Sequence, residues 1–252
     1  MIRTLSVGLI NSSDINYINF CVNNADDMAS FCSDLAYYII NKYSNSFLWT
    51  IVNSSYDTLS KNERHQIHEI AEHYFEKANS DKITFIKNYI EKKLYNYFVY
   101  EASDSIVLDG FARFRLKHFY KELEKVADYS ADEYFRECEY KNFILMLKEF
   151  ILLQKPLMRV VNIKVENSGR YFICDENFEE LSKSYIAELE GIFEGSDIFC
   201  EDDMLLSALI SIAPKKIIIH CEYNIKNKQL FDTIKSVFEN RVFVCNGCVL
   251  CK

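Results

Sequence analysis

The sequence contains few of the residues that interrupt regular structure, with only six Gly and two Pro in 252 residues. Average proteins contain roughly 7% Gly and 5% Pro. The shortage favours long helices and counts against glycine-rich phosphate loops. None of the patterns G-x-x-x-x-G-K-[ST], G-x-G-x-x-G, G-x-S-x-G or H-E-x-x-H occurs. The chain therefore has no recognisable catalytic motif, and the sequence leaves open whether it is an enzyme.

Long apolar runs and an excess of positive charge are also missing. The apolar N-terminus becomes polar at Asn11, which is too early for a signal peptide. The longest later run, residues 143–153, contains Lys148 and Glu149 and is too short to span a membrane. We therefore expect a cytoplasmic protein without a membrane span, in which the nine cysteines stay reduced. The net charge of −8 repels a phosphate backbone, so a protein partner is favoured over nucleic acid.

The rest of the composition is that of a folded protein, with 49% hydrophobic residues, 19 Phe and 17 Tyr. Near the N-terminus, apolar residues alternate on both sides of a polar turn at residues 11–14, which predicts a β-hairpin with one buried face. Helical spacing follows over most of the first half. Ser60 with Glu63 and Ser130 with Glu133 have the pattern of capping boxes, so we expect a helix to begin at each serine. The helix from Ser130 should pack against the preceding one as an antiparallel helical hairpin.

The pattern changes after Pro156. Strands are predicted at residues 158–165 and 170–174, and helices at 178–189 and from Glu201 to the residue before Pro214. Two apolar segments, residues 217–219 and 242–244, flank a helical segment over 228–240 and predict a β-α-β unit.

The fold class that follows is α+β. Residues 1–155 form a mainly helical part with an N-terminal hairpin, and residues 156–252 form an α/β part containing the β-α-β unit. The two parts are also compatible with a single domain.

The C-terminus carries the residues best suited to chemistry. Cys245, Cys248 and Cys251 have C-x-x-C-x-x-C spacing, and His220 and Cys221 follow the first strand of the β-α-β unit. If the two strands are parallel, their carboxyl ends meet at one edge of the sheet, which brings all five residues together. Thiolates with an imidazole suit tetrahedral zinc, and the triplet also supplies three corners of an iron–sulfur cluster. Redox-active thiols and inert thiols remain alternatives.

A second group of residues is Asp109, Arg113, Arg115 and Lys117. Asp109 and Arg113 are four residues apart and can pair along a helix. Arg115 should lie near the apolar seam, where Asp132 or Glu133 could neutralise it. The alternative is an anion or nucleic-acid patch. Structural pairing is favoured, because the chain is acidic.

Three segments of the sequence resemble the YtxC-like family of sporulation-associated bacterial proteins. They are Asp109-Gly-Phe-Ala-Arg-Phe-Arg-Leu-Lys117 with Asp132-Glu-Tyr134, the segment from Glu201 to His220, and the segment from Phe238 to Cys248. The resemblance covers roughly residues 106–252. It implies a cytosolic protein of endospore-forming bacteria without an established biochemical activity, and it supplies no catalytic residues.

These observations lead to three functional hypotheses. The leading one is a non-enzymatic, cytosolic, sporulation-associated protein with a regulatory or interaction role that holds zinc at its C-terminus. The second is a thiol redox protein or enzyme that uses the same cysteines. The third is nucleic-acid or anion binding through Arg113 and Arg115.

Overall fold

The computed structural model of the protein describes residues 3–11, 14–77, 80–181 and 201–251. The chain divides into two compact units, Met1–Glu137 and Cys138–Lys252. Each unit combines helices with a small sheet, so the predicted α+β fold class is confirmed. Within the described ranges, no helix is both long and apolar enough to cross a bilayer.

The first unit begins with the predicted β-hairpin. Strands β1 (Arg3–Asn11) and β2 (Asp14–Val22) are antiparallel, and β3 (Ser105–Val107) pairs with β1 in parallel. Leu5 and Val7 of β1 are buried. Strand β2 lies at the sheet edge and its first eight residues are exposed. The prediction of one buried face therefore holds for β1 and is wrong for β2.

The helices of the first unit are long, as the scarcity of Gly and Pro predicts. They are α1 (Ala25–Ser55), α2 (Lys61–Glu76), α3 (Ser80–Tyr95) with a π-helical continuation (Asn96–Tyr100), α4 (Leu108–Arg115) and the first part of α5 (Lys117–Leu153). The capping box predicted at the start of α2 is confirmed. The Ser60 hydroxyl accepts from the Glu63 amide, and the Glu63 carboxylate accepts from the Ser60 amide.

The second predicted capping box does not exist. Helix α5 continues through Ser130, whose hydroxyl donates to the carbonyl of Val126 at 2.7 Å. Ser130 is fully buried, and Glu133 pairs with Arg136 instead of turning back to the backbone. The prediction of a helical hairpin beginning at Ser130 is therefore wrong. A serine inside a helix can bond the carbonyl four residues earlier without ending the helix.

The boundary between the two units falls within the residues of α5. The first ends at Glu137, whereas the composition of the sequence places a boundary after Lys155. The difference arises because the last turns of α5 contribute Ile144, Leu147 and Ile151 to the core of the second unit. A continuous helix hides this change of partner from the sequence pattern.

The second unit contains a four-stranded sheet with the order β5-β4-β6-β7. The strands are β4 (Val160–Val165), β5 (Tyr171–Cys174), β6 (Lys216–His220) and β7 (Val242–Val244). Strands β4 and β5 form an antiparallel pair, as predicted, and β4, β6 and β7 run parallel to one another.

Two helices of the second unit accompany this sheet, α6 (Glu201–Ile212) and α7 (Lys228–Phe238). Helix α7 connects β6 to β7, so the predicted β-α-β unit is confirmed. The predicted helix over 178–189 does not begin where expected, because Glu180 forms a β-bridge with Cys174. Its remaining residues lie outside the described ranges.

Candidate metal centre

The parallel pairing of β6 and β7 brings the C-terminal candidate residues to one edge of the sheet. His220 is the last residue of β6, and Cys245 directly follows β7. The amide of Cys245 donates to the carbonyl of Ile219 at 2.9 Å, which extends the ladder by one bond. Since parallel strands end at the same edge, the two residues lie side by side without a special loop.

A tight turn returns the chain to this edge after β7. Gly247 has φ of 120°, a conformation that L-residues rarely adopt, and no heavy atom lies within 4 Å of where its Cβ would be. A short 3₁₀ turn (Val249–Cys251) follows, in which the amide of Cys251 donates to the carbonyl of Cys248 at 3.1 Å. The turn places Cys248 and Cys251 beside His220.

The side chains of His220, Cys245, Cys248 and Cys251 converge on one point. Each offers one ligand atom, and the four atoms all lie within 4.8 Å of one another. The Nδ1 atom of His220 is 3.3 Å from the Cys248 Sγ and 3.6 Å from the Cys251 Sγ, and these two sulfurs are 3.8 Å apart. All three cysteines are free thiols.

These distances are close to those around a tetrahedral zinc ion. With Zn–S bonds of about 2.3 Å and Zn–N bonds of about 2.0–2.1 Å, a tetrahedral ion holds two sulfurs about 3.8 Å apart and a sulfur and a nitrogen about 3.6 Å apart. The Sγ atoms of Cys248 and Cys251 have the first of these separations. The Nδ1 atom of His220 and the Sγ atom of Cys251 have the second. A single ion thus fits the group with small side-chain movements.

His220 is the least accessible member of the group, with 3% of its surface exposed. Its Nε2 atom lies 3.1 Å from the side-chain oxygen of Asn162 on β4. The side-chain nitrogen of Asn162 donates to the backbone carbonyl of Asp175 at 2.7 Å. Asn162 therefore fixes the imidazole on its Nε2 side, and Nδ1 is directed toward the thiols.

Hydrogen bonds to the sulfurs give the thiols different acidities. Burial raises the pKa of the Cys251 thiol, but hydrogen bonds to its sulfur, led by the one from the backbone of Cys248, outweigh burial and lower the pKa to about 6. A backbone hydrogen bond from Gly247 acts to lower the pKa of Cys245, yet burial and the neighbouring thiols raise it overall. The group thus stabilises one thiolate most strongly. Thiolates are the form in which cysteines bind metals.

Cys221, predicted as a ligand together with His220, lies beside the group of four rather than in it. Its backbone adopts a left-handed conformation with φ of 58°, so the chain turns away immediately after His220. The Cys221 side chain is hydrogen-bonded to Tyr223. Both residues line a cavity of about 470 Å³ that Cys245 and Cys251 also border.

Two members of the second predicted group, Arg115 and Asp109 in the first unit, make structural contacts. Arg115 pairs with Glu101 at 2.6 Å and its guanidinium lies 5.2 Å from the centre of the Tyr97 ring. The predicted partners Asp132 and Glu133 are thus wrong for Arg115. The reason is that the segment after α3 comes back to α4, whereas no return helix begins at Ser130.

Asp109 lies against β1, and the remaining two members of that group lie at the surface. The Asp109 carboxylate accepts a hydrogen bond from the Ile10 amide at 3.3 Å, and burial together with Asp109 raises the pKa of Tyr43. Arg113 and Lys117 are exposed. Asp109 therefore ties α4 to the hairpin.

Asn162 belongs to the candidate metal centre but was not predicted from the sequence. It is buried to 2% exposure in β4, where its neighbours in the strand are apolar. An amide between two apolar residues of a predicted strand is the signal that could have identified it, because buried polar groups need a partner.

Comparison with known proteins gives the same family as the sequence patterns. The family model described as "YtxC-like family" matches residues 31–243, a range that includes His220 and ends before Cys245. The chain is similar to the "Uncharacterized protein YtxC" of Bacillus subtilis (strain 168), with 24% identity over 221 residues, which cover 82% of this chain and 73% of that protein. No solved structure matches the chain.

Proposed function

The chain belongs to the YtxC-like family, and we propose that it is a metal-binding protein whose C-terminal segment is held by one Zn²⁺ ion. The ligands are His220 Nδ1 and the sulfurs of Cys245, Cys248 and Cys251. The observation that carries the proposal is the convergence of these four atoms within 4.8 Å, with spacings close to those of tetrahedral zinc.

Four protein ligands fill the coordination sphere of a tetrahedral ion. Closed sites of this kind are structural, whereas catalytic zinc keeps one position for water or substrate. The ion would therefore fasten the segment after β7 to the end of β6. An iron–sulfur cluster is less well supported, because its protein ligands are divided among two or more irons, and ligands of different irons stand further apart than ligands of one ion.

The role that suits a closed site is regulation or interaction rather than catalysis. In this proposal the protein acts in the cytosol of an endospore-forming bacterium, with a protein partner, and contributes to sporulation. The biological setting is what the resemblance to this family implies, and the absence of common catalytic motifs from the sequence agrees with a non-enzymatic role.

A thiol redox protein is the competing function for the same residues. Cys248 and Cys251 form a C-x-x-C pair with sulfurs 3.8 Å apart. A redox pair requires only these two thiols, however, and leaves unexplained why a buried imidazole and a third thiol point at them. Metal binding uses all four groups.

The direct test is the metal content of protein purified without chelator. We expect one equivalent of zinc per chain by elemental analysis, lost in the Cys248→Ser variant because three ligands bind zinc far more weakly than four. Cys21→Ser is the matched control, since Cys21 is an exposed cysteine on β2 and should keep full zinc content. Zinc-free protein that takes up no Zn²⁺ on reconstitution, or equal zinc in both variants, would show the proposal to be wrong.

A further inference from the structure

We propose that Asn162 is a positioning residue of the metal centre, which fixes the tautomer and orientation of His220 so that Nδ1 is the ligand atom. This inference rests on the proposed zinc site and names the residue that prepares it. Asn162 lies on β4, distant in sequence from every proposed ligand.

The orientation of the Asn162 amide follows from its two neighbours. The backbone carbonyl of Asp175, 2.7 Å from one end of the amide, can only accept a hydrogen bond. The NH₂ group must therefore face Asp175, since the reversed amide would place two oxygens against each other. The side-chain oxygen is then the atom that lies 3.1 Å from His220 Nε2.

The tautomer of His220 follows from that orientation. An amide oxygen can only accept, so Nε2 must carry the hydrogen that it accepts. In a neutral imidazole the other nitrogen then has a lone pair. That nitrogen is Nδ1, which lies 3.3 and 3.6 Å from the sulfurs of Cys248 and Cys251. The lone pair thus points to where the metal would sit.

The sheet makes this arrangement rigid. Asn162 is opposite Ile218 in the β4–β6 pairing, and His220 is opposite Lys164. Asn162 and His220 therefore lie on the same face of neighbouring strands, one step apart along the diagonal. Both are almost completely buried, so neither side chain can turn to water for its hydrogen bonds. The ring is held in place before the metal arrives.

A merely structural role for Asn162 predicts something different. In that case the amide would serve only to satisfy the Asp175 carbonyl, and its loss would reduce stability without a specific effect on the metal. Histidine ligands of metals usually donate their second N–H to such a partner, and removal of the partner lowers metal affinity by about 10- to 100-fold. The two roles can be separated by affinity measured against a control of similar burial.

The experiment uses Co²⁺ as the probe, followed by its sulfur-to-cobalt absorption, with Zn²⁺ affinity obtained by competition. We expect Asn162→Leu to weaken binding by about 10- to 100-fold. Thr233→Val is the control. It removes a buried hydroxyl of the same unit, one that bonds Tyr140 and the Gln229 carbonyl, and should leave affinity unchanged.

A second measurement needs neither metal nor a substitution at Asn162. Two-bond ¹H–¹⁵N correlation spectra of histidine-labelled, metal-free protein report which ring nitrogen carries hydrogen, and His220→Gln assigns the signals. We expect His220 to be the Nε2–H tautomer. An Nδ1–H tautomer, or Asn162→Leu binding Co²⁺ as tightly as Thr233→Val, would overturn the inference. A parent protein that binds no Co²⁺ would instead refute the zinc site itself, and the spectra would still decide the tautomer.

Discussion

Gly247 is the residue on which the return of the chain to the sheet edge depends. Its φ of 120° lies where an L-residue is strained, although space around it is open. A side chain at this position would fit sterically with its surroundings but would push the backbone out of the turn. Cys248 and Cys251, which follow the turn, would then lose their alignment with His220.

We therefore expect Gly247→Ala to weaken zinc binding. A strained backbone conformation costs of the order of 1–3 kcal/mol, which corresponds to roughly 5- to 150-fold in affinity. Competition with a chelator of known affinity measures the effect.

Gly110→Ala is the matched control, because Gly110 lies in α4 with no atom near its Cβ position. In a helix Ala is favoured over Gly by about 0.5–1 kcal/mol, so this variant should be slightly more stable with unchanged affinity. Equal affinities for the two variants would show that the turn does not need glycine.

At this scale the sequence predicts which residues meet, but not how each one points. The terminal triplet and the parallel strands were enough to bring His220 together with Cys245, Cys248 and Cys251. Cys221 was grouped with them because it is adjacent in sequence, and only its left-handed backbone shows that it lies to one side. The role of Asn162 could not be predicted, because its contact with His220 depends on β4 being the neighbour of β6. The order of strands in a sheet cannot be derived from short segments of sequence.

Helices α2 and α5 show how one sequence pattern can describe two different local structures. Ser60 accepts a hydrogen bond at the start of α2, whereas Ser130 donates one in the middle of α5. Both serines are followed three residues later by Glu. What differs is the surrounding chain. Ser60 follows a turn at residues 56–59 that separates it from α1, whereas Ser130 has helical residues on both sides.

The difference between the two serines can be measured. Ser60→Ala should lower the free energy of unfolding by about 1 kcal/mol, because it removes an N-cap and leaves backbone amides unpaired. Ser130→Ala should leave stability nearly unchanged, since a mid-helix serine that bonds the preceding turn contributes little and Ala favours the helix. Urea denaturation followed by circular dichroism gives both values. A loss at Ser130 as large as that at Ser60 would mean that α5 does begin a new cap there.

Element boundaries were predicted well where they depend on local signals. The hairpin, the start of α2 and the β-α-β unit belong to this class, because turn residues, a true capping box and apolar alternation mark them. The limits of the two units did not follow from the sequence. They depend on which core the end of α5 contacts through Ile144, Leu147 and Ile151, and composition does not record the partner of an apolar face.

At the scale of the whole molecule, the proposed metal ligands all belong to one unit. Residues 138–252 contain the four-stranded sheet, α6, α7 and the four proposed ligands. They also have a core of their own. Binding energy of a metal adds to the stability of the structure that holds it. The contribution of zinc should therefore appear in the unfolding of the second unit and not in that of the first.

Calorimetry with and without chelator tests this division. We expect two unfolding transitions, of which chelation lowers the midpoint of one by several degrees, because ligand that binds only the folded state stabilises it by RT ln(1 + [L]/Kd). Cys248→Ser should give the lower midpoint in both conditions, since it cannot complete the metal site. Ser60→Ala, which lies in the first unit, should move only the other transition and so identify it.

A joint shift of both transitions on chelation would show that the units unfold as one. No shift in either would show that the metal, if bound, stabilises nothing. The predicted pattern arises because the ligands are four residues brought together by a single sheet edge.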